Sequence, residues 1–113
     1  MTSNERENTK TPAGRPDLLP PQNHLLTSPV RFPIMLILYI NKKVRFGELQ
    51  RLLHLTAGNL EHHLKKLEET NYIIRKKELF PKRTYTIIMI TKVGENAFKD
   101  YSQKLRDVLD KVE

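Results

Sequence analysis

The densest run of side chains able to hydrogen bond or carry charge lies in TAGNLEHHLKKLEE, residues 56–69. Leu60, Leu64 and Leu67 recur there at i, i+4 and i+7, which predicts a helix over about residues 56–70 with one narrow buried stripe. With Leu60 facing inward and about 100° per residue, Gly58, His62, Lys65 and Glu69 fall within about 40° of the opposite pole, flanked by Asn59, Glu61 and Lys66. An amide, a carboxylate, an imidazole and two ammonium groups on one face form a set of donors and acceptors. They do not form a reaction centre, because the sequence has no nucleophile–base pair, phosphate-cradling glycine loop or carboxylate cluster. Their chemistry suits nucleic acid: Asn pairs bidentately with adenine, Glu accepts from cytosine, Ala offers a methyl to thymine, and Lys brings charge without base preference.

His62-His63 invites a metal, but adjacent helical residues point about 100° apart and no second cluster of ligating side chains stands at a suitable spacing. His63 lies nearer the core stripe and is expected to be a partly buried structural imidazole, with His62 an outward donor. The chain has no cysteine, which excludes disulfides, thiolate-bound zinc and thiol redox sensing. No catalytic residue, metal or cofactor is expected.

Charge reinforces this assignment. The chain has 113 residues, 38% of them hydrophobic, enough for one modest core, and a formal charge of +7. Residues 1–24 and 92–113 are each electrically balanced, so residues 25–91 hold the whole excess, twelve basic groups against five acidic. A cationic surplus confined to one stretch predicts a polyanionic partner. The longest apolar run, Ile34 to Ile40, is far short of the roughly twenty residues that span a bilayer, and the N-terminus opens polar with no apolar leader core. A soluble, cytoplasmic protein without membrane contact is expected.

Several elements must position the outward face of residues 56–70. Residues 1–24, rich in Ser, Thr, Asn and Pro, are expected to form a flexible arm whose one apolar cluster, Leu18-Leu19-Pro20-Pro21, either packs on the body or stays disordered. Ser28-Pro29 signals a helix start, with Pro33 expected to distort the first turn of a nearly all-apolar core helix reaching about Asn41. Val44 to Phe46 reads as a short strand, and residues 46–53 as a helix with Phe46, Leu49, Leu52 and Leu53 inward. Only His54-Leu55-Thr56 separates it from the next helix, the spacing of a helix-turn-helix. Tyr72 to Ile74 and Thr84 to Ile90 read as strands of a hairpin with a loose Lys77–Lys82 linker. From Thr91 a last helix follows, in which Phe98, Tyr101, Leu105, Val108 and Val112 keep the 3, 4, 3, 4 spacing of a coiled-coil seam.

Four segments, LTSPVRFPIMLILY, FGELQRLL, LTAGNLEHHLKKLEETNYI and ITKVGENAFKDY, resemble winged-helix regulators of the ArsR and MarR type found in prokaryotes. The fold class is therefore expected to be mainly α with a small β-hairpin (α+β): a winged helix-turn-helix domain over residues 25–91, followed by a dimerisation helix over 92–113. The resemblance implies a homodimeric, sequence-specific regulator of double-stranded DNA, its third helix in the major groove and its wing on backbone or minor groove. Placed on that scheme, Ala57, Gly58, Asn59, Glu61 and His62 read bases, while Thr56, Lys65, Lys66, Arg75, Lys77, Lys82 and Arg83 meet phosphates or line the wing. Phe98, Tyr101, Leu105, Val108 and Val112 pair the subunits. Gly58 either allows close approach to DNA or is simply tolerated near a helix end. Two features depart from the family: the second wing strand is longer than usual, with Ile87-Ile88-Met89-Ile90 available to a dimer seam, and Arg45 stands where a small capping hydroxyl is common. The competing function is a winged-helix protein-interaction module within a transcription or replication assembly. No small-molecule effector is assigned.

Overall fold

The computed structural model describes residues 25–112, so the arm at residues 1–24, with its Leu18–Pro21 cluster, lies outside the described residues. The elements run α1 (Arg31–Asn41), β1 (Lys43–Arg45), α2 (Phe46–Leu53), α3 (Ala57–Glu69), β2 (Ile73–Phe80), β3 (Arg83–Ile90) and α4 (Lys92–Val112). One unit contains the described residues up to Asp100; the described part of the other is the helical stretch 101–112.

Ser28 caps the chain's entry as its side chain predicts, its Oγ accepting from the amides of Val30 and Arg31 at 3.1 Å each. The helix itself starts at Arg31, two residues beyond Pro29. Pro33 is then the third helical residue, where an amide has no intrahelical partner to lose, and Ile34 closes the first turn onto the Val30 carbonyl at 3.3 Å. The distortion expected from Pro33 is thereby avoided. Ile34, Met35 and Leu38 are fully buried, but Leu36 is 40% and Ile40 67% exposed, so α1 keeps an uncovered apolar stripe at i, i+4.

The three strands form one antiparallel sheet in the order β1-β3-β2. Its hairpin is tighter and longer than the sequence suggests: Phe80 pairs with Arg83, so Pro81-Lys82 alone make the turn, and Lys77 to Phe80 are strand. Charged residues in β2 imitate a loop, yet β2 is an edge strand and edges tolerate charge. Pro81 supplies the fixed φ that a tight turn wants at its second position. Because β3 is central and packed by both α1 and α2, its neighbours Ile87 and Ile88 are both buried although they point to opposite faces. Ile87 and Ile88 fill the chain's own core, which leaves them little surface for the dimer seam to which the sequence made them available.

Leu26, Leu49, Leu60, Leu64, Leu67, Ile73 and Phe98 complete that core; Leu52, expected inward, is 47% exposed. The turn between α2 and α3 depends on His54 in the left-handed region, φ 54° and ψ 46°, with Leu55 N donating back to Gln50 O at 3.1 Å. Thr91 starts α4: its Oγ1 accepts from Gly94 N at 2.9 Å and donates to Asn71 O at 2.6 Å. Gly94 is required where it is, since an added Cβ would overlap the Tyr72 carbonyl.

Candidate nucleic-acid interface

The outward face of α3 is built from its first residue. Thr56 Oγ1 accepts from Asn59 N at 3.0 Å, fixing the direction in which the helix leaves the turn. Leu60, Leu64 and Leu67 are fully buried on the opposite side. That orientation leaves Ala57, Gly58, Asn59, Glu61, His62, Lys65, Lys66 and Glu69 exposed. A Cβ on Gly58 would meet nothing within 4 Å, so no packing within the chain demands a glycine there.

His63 has the structural role expected of it. Its Nδ1 accepts from Arg31 Nη1 at 2.8 Å, which leaves the ring proton on Nε2. Burial and then the neighbouring Arg31 charge hold its pKa below the ordinary 6.5. Across the strands, Arg75 has a position the sequence did not disclose. Its Nη1 donates to Glu61 Oε1 at 2.6 Å, and its Nη2 to Glu61 Oε2 at 2.9 Å and to Glu68 Oε1 at 2.8 Å. The hydrogen bond from Arg75 comes first among the causes that keep the Glu61 carboxyl below the usual carboxylate value, and the two carboxylates push the Arg75 pKa upward. Glu61, expected to read a base, and Arg75, expected to meet phosphate, are in this structure each other's partners.

The wing is held from its other face. The Arg45 guanidinium lies 4.0 Å from the Tyr85 ring centroid and 5.1 Å from that of Phe80. Arg83 lies 4.9 Å from the Tyr85 ring, and Phe80 meets Tyr85 edge-on at 5.0 Å. Arg45 thus replaces a capping hydroxyl with a cation on the wing, and makes no cap hydrogen bond of its own. Lys76, Lys77, Lys82 and Arg83 are exposed along the hairpin. Lys76 and Lys77 border a cleft of about 430 Å³ with Phe46, Glu61, Arg75 and Thr86. Alternation along β2 puts these lysines on opposite faces, but an edge strand leaves both in solvent, which is how Lys76 joins the surface. Arg45 was legible only as an odd residue at a cap; its partnership depends on the pairing of Arg45 with Ile87, which carries it alongside Tyr85.

Of the residues expected in the α4 seam, Phe98 is only 4% exposed, its ring centroid 5.2 Å from those of both Phe32 and Tyr39 of the same chain. Its contacts are intrachain, and it has little surface left for a partner. In the second half of the helix Tyr101 and Val108 are half-buried, while Leu105, Leu109 and Val112 are 37%, 59% and 72% exposed. Among the described residues no group of His, Asp or Glu is arranged to hold a metal, and no helix is long and apolar enough to cross a membrane.

Residues 30–109 match the family of winged helix DNA-binding domains. An uncharacterized protein of Methanocaldococcus jannaschii is 42% identical over 89 residues, 79% of this chain and 97% of that protein. The structure of a transcriptional regulator homologue from Pyrococcus horikoshii OT3 superposes with a TM-score of 0.76 at 33% identity, covering 81% of this chain and 91% of that one. A transcriptional regulator of Thermotoga maritima gives 0.64 at 26% identity over 75% of this chain and 59% of its own length. MarR, at 22% identity, shares the fold with a TM-score of 0.65 over 79% of this chain and 64% of its own. The likeness carried by the four sequence segments holds in fold and family.

Proposed function

Because the chain belongs to the winged helix DNA-binding domain family, we propose that it is a transcription regulator that binds a specific double-stranded DNA site as a homodimer, with α3 in the major groove and the β2–β3 wing on backbone or minor groove. One observation carries this reading: the distribution of cations that no carboxylate neutralises. Lys42 pairs with Glu95, Lys43 with Glu78, Arg51 with Glu48, and Arg75 with Glu61 and Glu68. Among residues 25–91, Arg45, Lys65, Lys66, Lys76, Lys77, Lys82 and Arg83 have no carboxylate partner among the described residues, and they stand on α3, on the wing and at the start of α2. Six of these seven stand on α3 and the wing, the two elements that a winged helix presents to DNA, while Arg31 in α1 is engaged by His63 and the Leu25 carbonyl.

A second copy of the chain accounts for the apolar surface left over. Leu36, Ile40 and Val93 in the body, and Leu105, Leu109 and Val112 in the second half of α4, are exposed large apolar side chains. Two-fold pairing through α4, with Tyr101, Leu105, Val108 and Val112 in the seam, places two recognition helices on half-sites about 10 bp apart.

Selection of bound duplex from a random pool at about 150 mM salt tests the reading, because specific binding must survive salt that weakens phosphate contacts. Enrichment of an inverted repeat is expected, with a log–log salt slope of roughly −6 or steeper for the dimer. A slope near −1 contradicts DNA binding, and sedimentation as a strict 13.3 kDa monomer contradicts the dimer. Glu69, exposed at the outward pole of α3, is the feature that favours a protein-interaction module, and failure to enrich any duplex would promote that alternative.

A further inference from the structure

Arg75 is the only cation of the wing whose charge is turned inward. Its side chain is 19% exposed, against 50% for Glu61 and 36% for Glu68, so its charged end lies against α3 and not in solvent. Three directed hydrogen bonds occupy most of its donor fork, and both oxygens of Glu61 are engaged by it. Were Arg75 to swing onto a phosphate, two carboxylates would lose its charge, one of them, Glu61, at the edge of the cleft that Lys76 and Lys77 border. The trio carries one positive and two negative charges, a net −1, whether or not DNA is present.

Resting on the DNA-binding reading above, we propose that Arg75 is a positioning residue: it ties the recognition helix to the wing through Glu61 and Glu68 and touches no phosphate, and Glu61 in consequence reads no base. Discrimination then falls to Ala57, Gly58, Asn59 and His62, a set whose one bidentate reader is an amide suited to adenine and which has no carboxylate to accept from the cytosine amino group. The tie joins the wing to α3 through partly exposed contacts that can re-form after small movements.

The experiment compares the full chain with Arg75→Gln, Glu61→Gln and the double variant. The trio's net charge is −1 in the parent, −2 in Arg75→Gln and −1 again in the double. Arg75→Gln is expected to lose about tenfold or more in affinity through repulsion of phosphate, and the double variant to return to within about threefold with the parental salt slope. A double variant as weak as the single, with a slope shallower by about 1 per subunit, identifies Arg75 as a phosphate contact and overturns the proposal. Glu61→Gln is expected to leave the selected base preference unchanged at every position; loss of a cytosine at one position overturns it.

Carboxyl titration by NMR in the free protein gives a readout that needs no DNA. Glu61 should titrate below the ordinary 4.5 in the parent and return toward it in Arg75→Gln. An unchanged Glu61 shows that the tie does not exist in solution. If the parent chain selects no duplex at all, the regulator reading fails, and the titration still reports on the tie, so the two failures are told apart.

Discussion

The recognition helix and the wing present the same kind of polar surface but are held by opposite means. α3 is anchored by three leucines that are fully buried and by a hydroxyl cap on its first turn. Beyond its junction with the body, the wing has no comparable core. It is secured by an arginine on either face, Arg75 near its base onto carboxylates of α3 and Arg45 farther out onto the rings of Tyr85 and Phe80. Burial of apolar side chains is not screened by salt and tolerates little displacement. Charge-assisted and cation–π contacts at partly exposed sites are weaker, screened by salt, and can re-form after small movements. The base-reading element is thus fixed rigidly, and the element that follows the DNA backbone is fixed compliantly.

The largest effect that tests this contrast is in the stripe. Leu64→Ala removes a fully buried side chain and leaves a cavity, so a loss of about 2–5 kcal/mol in unfolding free energy is expected from denaturant titration. DNA binding should fall only in proportion to the folded fraction. A Leu64→Ala protein that stays as stable as the parent would mean that α3 is not anchored by its core face.

Next in size is Tyr85→Ala, which removes the ring that Arg45 approaches at 4.0 Å and Arg83 at 4.9 Å. A loss of about 1–2 kcal/mol is expected, with faster amide exchange confined to the outer wing and α3 unaffected. If exchange accelerates equally in α3, the two regions are one cooperative unit and the contrast fails.

How much of this was legible in the sequence follows the same division. The stripe of α3, its Thr56 cap and the three-residue turn before it are local patterns, decided by residues within one or two helical turns. The wing is decided by non-local register. Nothing near Arg75 announces that its side chain meets Glu61 and Glu68, fourteen and seven residues earlier. The polar Lys77 and Glu78 read as a loop because the edge position of β2, which lets them be strand, is a property of the whole sheet. Phe98 fits the periodicity of an intersubunit seam as well as that of a core contact, and only the approach of Phe32 and Tyr39 from α1 decides between them.

Gly58→Ala sharpens the comparison on the helix side. Because an added Cβ meets nothing within 4 Å, the substitution should raise stability by about 0.5–1 kcal/mol through reduced backbone freedom in the unfolded chain. A simultaneous fall in DNA affinity would show that the glycine permits close approach to the duplex; unchanged affinity would show that it is merely tolerated there.

The smallest expected effect is a pH slope, and it tests whether α3 is wholly free of electrostatic support. His63 has its folded-state pKa depressed, by burial first and by Arg31 next, from the ordinary 6.5. In the unfolded chain the imidazole takes up a proton near that value, while in the folded chain it resists, so below about pH 6.5 the unfolded state binds more protons and stability falls as pH falls. Protonation of Nδ1 would also set two cations at the 2.8 Å now bridged by the Arg31 donor. Melting temperatures should therefore decline between about pH 7.5 and 5.5 in the parent and decline less in His63→Gln, which cannot titrate. Equal slopes in the two proteins would remove His63 from the support of α3 and leave its placement to the leucine stripe and the Thr56 cap.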